Sequence, residues 1–167
     1  MKPVLVLCLG NDLVTDDAFG PTVASRLENQ VWPDDNVEVL FAPVAGFALL
    51  DLLNNRQAVL VVDAIFTGEA EPGTLHFFEA GNLAPTRGLV TSHQMNLPTA
   101  LKFGREMKIA MPESIDVLAV EVEDVETLSE ELTPRVSSAV PEAIKKIEKW
   151  VSLQCQEESY DQRKVLT

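Results

Sequence analysis

Three aspartates and one histidine are spaced so that a single fold can gather them. The segment LGNDLVTDDAFG, residues 9–20, follows an apolar run and carries Asn11, Asp16 and Asp17 between two glycines. A second apolar run, AVLVVDAI at 58–65, is broken by Asp63, and TSHQMNLP at 91–98 places His93 and Gln94 just before a proline suited to a helix start. In an open parallel sheet, residues beyond the carboxyl ends of the strands share one crevice. Two carboxylates and an imidazole there make a hard-to-borderline ligand set, fit for a divalent transition metal that keeps open positions. Plainer roles remain open for the same residues. Asp16 and Asp17 suit the N-terminus of the following helix, where negative charge is favoured, and His93 suits a loop that holds no metal. Asn11 reads as a turn former and Gly46 as a loop or helix-start residue.

Other chemistries lack their residues. No G-x-G-x-x-G, P-loop or G-x-S-x-G pattern occurs, so neither a nucleotide cradle nor a serine nucleophile elbow is expected. Cys8 lies inside VLVLCLG, the interior of a strand, where a thiol is poorly placed to attack a substrate. Cys155 is far from it in sequence and no Cys-x-x-Cys pair exists, which points to a reducing, cytoplasmic setting. The 26 acidic and 13 basic residues give a formal charge of −13, which repels phosphate backbones and argues against a nucleic-acid partner. No run of about 20 apolar residues is present, so no membrane partner is expected.

The elements that must position these residues follow from apolar patterning. PVLVLCL at 3–9 and AVLVVDAI at 58–65 are continuous apolar runs of strand length, the pattern of strands buried on both faces. Between them lie a helical spacing in AFGPTVASRLENQ, a strand-like NVEVLFA and a short amphipathic GFALLDLLNN. EPGTLHFFEA reads as a turn and an edge strand, residues 92–111 as a helix begun at Pro98, and IDVLAVEV as a further strand. A long terminal helix is expected from Thr133 as cap and Pro134 in its first turn, bent at Pro141. The alternation of strands and helices predicts an α/β fold, a three-layer α/β/α sandwich with a mostly parallel twisted sheet. One domain over residues 1–155 and a frayed polar tail at 156–167 are expected, as is a monomer, since no long apolar stripe is left over. The stretch EVEDVETLSEEL at 121–132 reads as a solvated face rather than a docking surface.

Five segments, VLVLCLGNDLVTDDAFG, VVDAI, the PGT at 72–74, SHQMNLPTAL and LTPRVSSAVPEAI, occur in order over roughly residues 3–150. Together they resemble the hydrogenase maturation proteases, endopeptidases that process the large subunit of nickel-iron hydrogenases. The most specific pieces are the G-N-x-L-x-x-D-[D/E]-x-x-G loop and the histidine of SHQ. The resemblance implies that Asp17, Asp63 and His93 contact a metal, with Asp16 a supporting or capping neighbour and Asn11, Gly46 and Gln94 in supporting places. It further implies that the metal is nickel carried by the substrate precursor, the resting protein being metal-free, and that a C-terminal peptide is removed. An activated water is the implied nucleophile, with Asp17 or Asp63 as base and nickel either polarising the scissile carbonyl or serving recognition alone. One departure stands out. Where many members have D-G-G-T-x-G, this chain reads FAPVAG, with Phe41 in place of the aspartate and Gly46 retained. That change keeps open a non-catalytic nickel-binding or scaffold protein that inspects the hydrogenase subunit. A peptidyl-tRNA hydrolase-like enzyme, whose first strand also leads into a Leu-Gly-Asn turn, is disfavoured by the −13 charge.

Overall fold

The structure, a computed structural model, describes residues 2–32, 35–80 and 97–165, with side chains described except at Pro98 and at 157–165. Five strands, β1 (Val4–Cys8), β2 (Val37–Phe41), β3 (Ala58–Ile65), β4 (Leu75–Glu79) and β5 (Ser114–Glu121), form one sheet in the order β2-β1-β3-β5-β4. All neighbours are parallel except β4, which runs antiparallel to β5 at the edge. Every residue of β1 and β3 is buried. These strands lie inside the sheet with helices on both faces, which is why their sequences are apolar without alternation.

Helices α1 (Phe19–Leu27) and α4 (Pro134–Val165) cover one face, packing on Val4, Val6, Leu60 and Val62. Helices α2 (Ala48–Leu53) and α3 (Leu97–Glu106) cover the other, packing on Leu5, Leu7, Val59 and Val61. The period of two along each strand sends alternate side chains to the two layers, giving the predicted α/β/α sandwich. Phe19, Leu27, Leu49 and Leu53 are fully buried. Each such side chain contributes about 1.5–3 kcal/mol of transfer free energy, so the helices are held by packing more than by propensity. Trp150 of α4 is buried too, and its indole N–H donates to Asp116 Oδ2 of β5 at 2.8 Å, fixing the long helix to the sheet.

From β1 the chain passes through α1 to β2 on one side, then returns through α2 on the opposite face to β3 on the other side. The connections therefore part above β1 and β3, opening a crevice at their carboxyl ends. Two expectations need adjustment. Thr133 precedes α4 as predicted, but its hydroxyl donates to Asp16 Oδ2 at 3.2 Å, a partner from the opposite end of the chain. The backbone stays helical past Pro141 and through Val165, beyond the boundary at residue 155 that polarity alone marks.

Candidate active site at the carboxyl ends of β1 and β3

The loop after β1 is folded back on itself. Leu9 N–H still donates to Val62 O at 2.8 Å, keeping the chain beside β3, and then Gly10 turns it at φ +137°. A Cβ at Gly10 would lie 2.1 Å from Asp17 O, and one at Gly20 would lie 1.8 Å from Leu9 O. Only glycine permits these two close approaches of backbone to backbone. Asn11 N–H donates to Asp17 O at 3.2 Å, while Asn11 Oδ1 accepts from Leu13 N–H at 3.0 Å, the turn-forming role its residue type predicts. The result is a short 3-10 helix, Thr15–Ala18, that lies against β3 and carries Asp16 and Asp17.

Asp63 sits two residues before the end of β3 and is fully buried. Its Oδ1 accepts the N–H of Ala64 at 2.8 Å. Strand alternation with Val61 and Ile65 turns its side chain toward the α2 and α3 layer. Asp17 Oδ1 and Asp63 Oδ2 are both sealed from solvent, so the β1 loop and β3 each bring one shielded carboxylate oxygen to this end of the sheet. Burial pushes the Cys8 thiol far up from its ordinary value, and the Asp63 carboxylate raises it further. A thiol so held stays protonated and is no nucleophile, as its strand position predicts.

Asp16 does not cap α1, which begins without a side-chain cap bond. Its carboxylate is fully buried and turned toward the segment between β5 and α4. Oδ2 accepts from Glu123 N–H and Asp124 N–H, each at 3.1 Å, and Oδ1 accepts from Thr133 N–H at 2.9 Å. Main-chain bonds reinforce the join: Thr15 N–H donates to Thr127 O and Asp16 N–H to Asp124 O, both at 3.1 Å. The turn bearing Asp17 and the β5–α4 loop are therefore one stitched unit. Sequence spacing gives no sign of it, because the partners lie over a hundred residues away.

The acidic stretch is not uniformly solvated. Glu121 is buried, with one oxygen accepting from Thr67 N–H (2.7 Å) and Gly68 N–H (2.9 Å) and the other from the Thr67 hydroxyl (2.8 Å). His76 Nε2 of β4 lies 3.3 Å from the same carboxylate, which fixes the loop after β3. Asp124 is held below the usual carboxylate range by the Thr127 side chain first, and by the N–H groups of Thr127 and Glu126. These buried or looped acids organise the rim of the crevice. Gly46, at φ +63°, starts α2 by offering its carbonyl to Leu49 N–H at 3.2 Å. Phe41 turns to the opposite face from Asp63, where it packs on the core under α1 and, with Trp32, lines a cavity of about 360 Å³. Phe41 therefore lies off the Asp63 face, while Ala42 and Val44 of the same FAPVAG stretch pack on that face with Val61 and Ile65.

His93 and Gln94 lie outside the described residues. Among the described residues no three His, Cys, Asp or Glu side chains gather into a metal-holding group. A sequence model of the hydrogenase maturation proteases matches residues 21–150. The chain belongs to the hydrogenase maturation protease family. It is 30% identical to the hydrogenase 2 maturation protease of Escherichia coli over 148 residues, 86% of this chain and 87% of that protein. Against a putative hydrogenase maturation protease of Methanocaldococcus jannaschii the identity is 31%, covering 87% and 91% of the two chains. The solved structure of the hydrogenase-maturating endopeptidase HybD from E. coli superposes with a TM-score of 0.77 at 29% identity, covering 95% of this chain and 94% of that one. As a hydrogenase maturation protease, the protein is a peptide-bond hydrolase of hydrogenase maturation. No helix among its described residues is long and apolar enough to cross a membrane.

Proposed function

We propose that this maturation protease removes a C-terminal peptide from the nickel-loaded precursor of a nickel-iron hydrogenase large subunit. The observation that carries the reading is the placement of Asp17, on a glycine-tightened turn, against the strand that bears the buried Asp63. In this reading Asp17, Asp63 and His93 complete the coordination of nickel that the precursor's thiolates already hold. Three such ligands bind the ion weakly by themselves, so the resting protein is metal-free and reads nickel only as part of its substrate. With Cys8 protonated inside the sheet, the nucleophile is a water molecule. Asp17 or Asp63 accepts its proton as oxygen attacks the scissile carbonyl, and the departing amine takes a proton as the bond breaks. The enzyme acts as a monomer in the cytoplasm.

The test is processing of the precursor by Asp17→Asn, Asp63→Asn and His93→Ala variants. Each variant is expected to stay folded and leave the precursor uncut, the one that removes the general base slowing the reaction about 10²–10⁴-fold. Normal processing by any two of them would remove the triad from the mechanism.

A further inference from the structure

Each of the four loops leaving the carboxyl ends of the parallel strands exposes one large apolar side chain. Leu13 follows β1 at 57% exposure, Phe47 follows β2 at 59%, Phe66 follows β3 at 40% and Leu128 follows β5 at 81%. Scattered apolar residues on a surface mean little, but tips on all four of these described loops at one end of the sheet mark a face that another protein covers. Three of the four are also held in place. Val14 and Leu128 form an antiparallel bridge, and Ser129 N–H donates to Leu13 O at 3.1 Å, so Leu13 and Leu128 rise from the stitched unit that Asp16 anchors. Phe47 is braced by Phe103, with ring centroids 4.7 Å apart and planes at 56°. Braced anchors lose little conformational entropy on binding.

The charge of the same loops fixes the chemistry of the partner. Residues 9–18, 42–47, 66–74 and 122–133 contain ten Asp and Glu and no Lys or Arg; Asp16 is buried and Glu71 pairs with Arg135 at 2.9 Å, which leaves eight acids to set the charge of the rim. A second copy of this chain would bring the same acids against them and be repelled. A folded protein surface of standard size, about 800 Å² per partner, contacts several loops at once.

We infer that this rim docks the folded body of the precursor, whose matching surface is an apolar patch bordered by Lys and Arg. The inference rests on the proposed function for the identity of the partner. It sets docking on the loop tips apart from the chemistry at Asp17 and Asp63.

The experiment compares the wild-type protein with two rim variants and a control. The apolar variant is Leu13→Ser/Leu128→Ser, the charge variant Glu126→Gln/Glu130→Gln/Glu131→Gln, and the control Leu153→Ser, an exposed leucine on α4 away from the rim. Binding to nickel-loaded precursor is measured at about 50 and about 500 mM NaCl, a range over which surface attraction is strongly screened. Processing kinetics are recorded beside it, and circular dichroism checks each fold. The apolar variant is expected to raise Kd and KM about tenfold with kcat unchanged, as loss of a central hot spot does. The charge variant keeps every apolar tip, and its binding is expected to lose most of the wild-type salt dependence. The control should match the wild type. Wild-type cutting together with unchanged Kd in the apolar variant, or unchanged salt dependence in the charge variant, would overturn the docking inference and leave the proposed function standing. Failure of the wild type itself to bind or cut the precursor would overturn both.

Discussion

Replacing Asp16 tests whether the carboxylate, or only the volume it fills, holds the Asp17 turn to the β5–α4 loop. Asp16 is fully buried and accepts three backbone N–H groups, from Glu123, Asp124 and Thr133, and the Thr133 hydroxyl. All four partners are donors. Leaving a buried donor unpaired costs about 1–3 kcal/mol, and hydrogen bonds to a charged group sit at the upper end. Glu123 is exposed and Asp124 and Thr133 only half-buried, so water can reach part of the loop once the carboxylate is gone. The low end of the range then applies to three N–H groups, giving about 3 kcal/mol for Asp16→Ala. For a chain of this size that is a fall in Tm of about 6–12 °C. The informative variant is Asp16→Asn, which preserves shape but turns one acceptor oxygen into an NH₂ facing donors. It is expected to be destabilised about as much as Asp16→Ala. Thermal unfolding followed by far-ultraviolet circular dichroism measures both, and an Asn variant within about 2 °C of wild type would refute the reasoning.

Three further outcomes follow from the same geometry. Gly20→Ala puts a methyl group where Leu9 O stands and should destabilise by about 3 kcal/mol or more, because backbone must shift; urea unfolding with an unchanged midpoint would contradict that. Arg56 is buried and donates to Glu38 at 2.6 Å, to Leu52 O at 3.2 Å and to Lys2 O, so Arg56→Ala should cost about 2 kcal/mol in chemical denaturation. That is below the value for a fully buried pair because the Glu38 side chain keeps 36% exposure. The Arg56 hydrogen bond first, and its charge, hold Glu38 below the usual carboxylate range, and Thr127 does the same for Asp124. A depressed folded-state value gives stability that is present above the unfolded value and is lost as pH falls through the folded one. Tm should therefore fall below about pH 4.5 in the wild type and fall less in Glu38→Gln, and parallel pH profiles would contradict the assignment.

The interior strands were legible because burial on both faces leaves an unambiguous mark. VLVLC and AVLVVDAI stand out as apolar runs, and Asp63 stands out as the charge that interrupts one of them. The edge strand β4 was legible for the converse reason, since Pro72 and Gly73 open it and its alternation is imperfect. What sequence could not disclose were partners distant in the chain. Asp16 looks like a helix cap by position, yet its partners are Glu123, Asp124 and Thr133. Glu121 looks like one acid among many in EVEDVETLSEEL, yet it is buried against Thr67, Gly68 and His76. Local pattern reports which face a residue takes, while long-range hydrogen bonds depend on topology. The crevice at β1 and β3 follows from the strand order, and the residues that hold its rim follow only from the fold.

The most direct test of the nickel-gated processing proposed for this protease is the intact mass of the precursor before and after incubation with the purified protein. Nickel-loaded and nickel-free forms are run side by side. Loss of a short C-terminal peptide from the nickel-loaded form alone is the result the account predicts. Equal trimming of both forms would contradict the metal checkpoint, and binding without trimming of either would contradict the protease assignment itself.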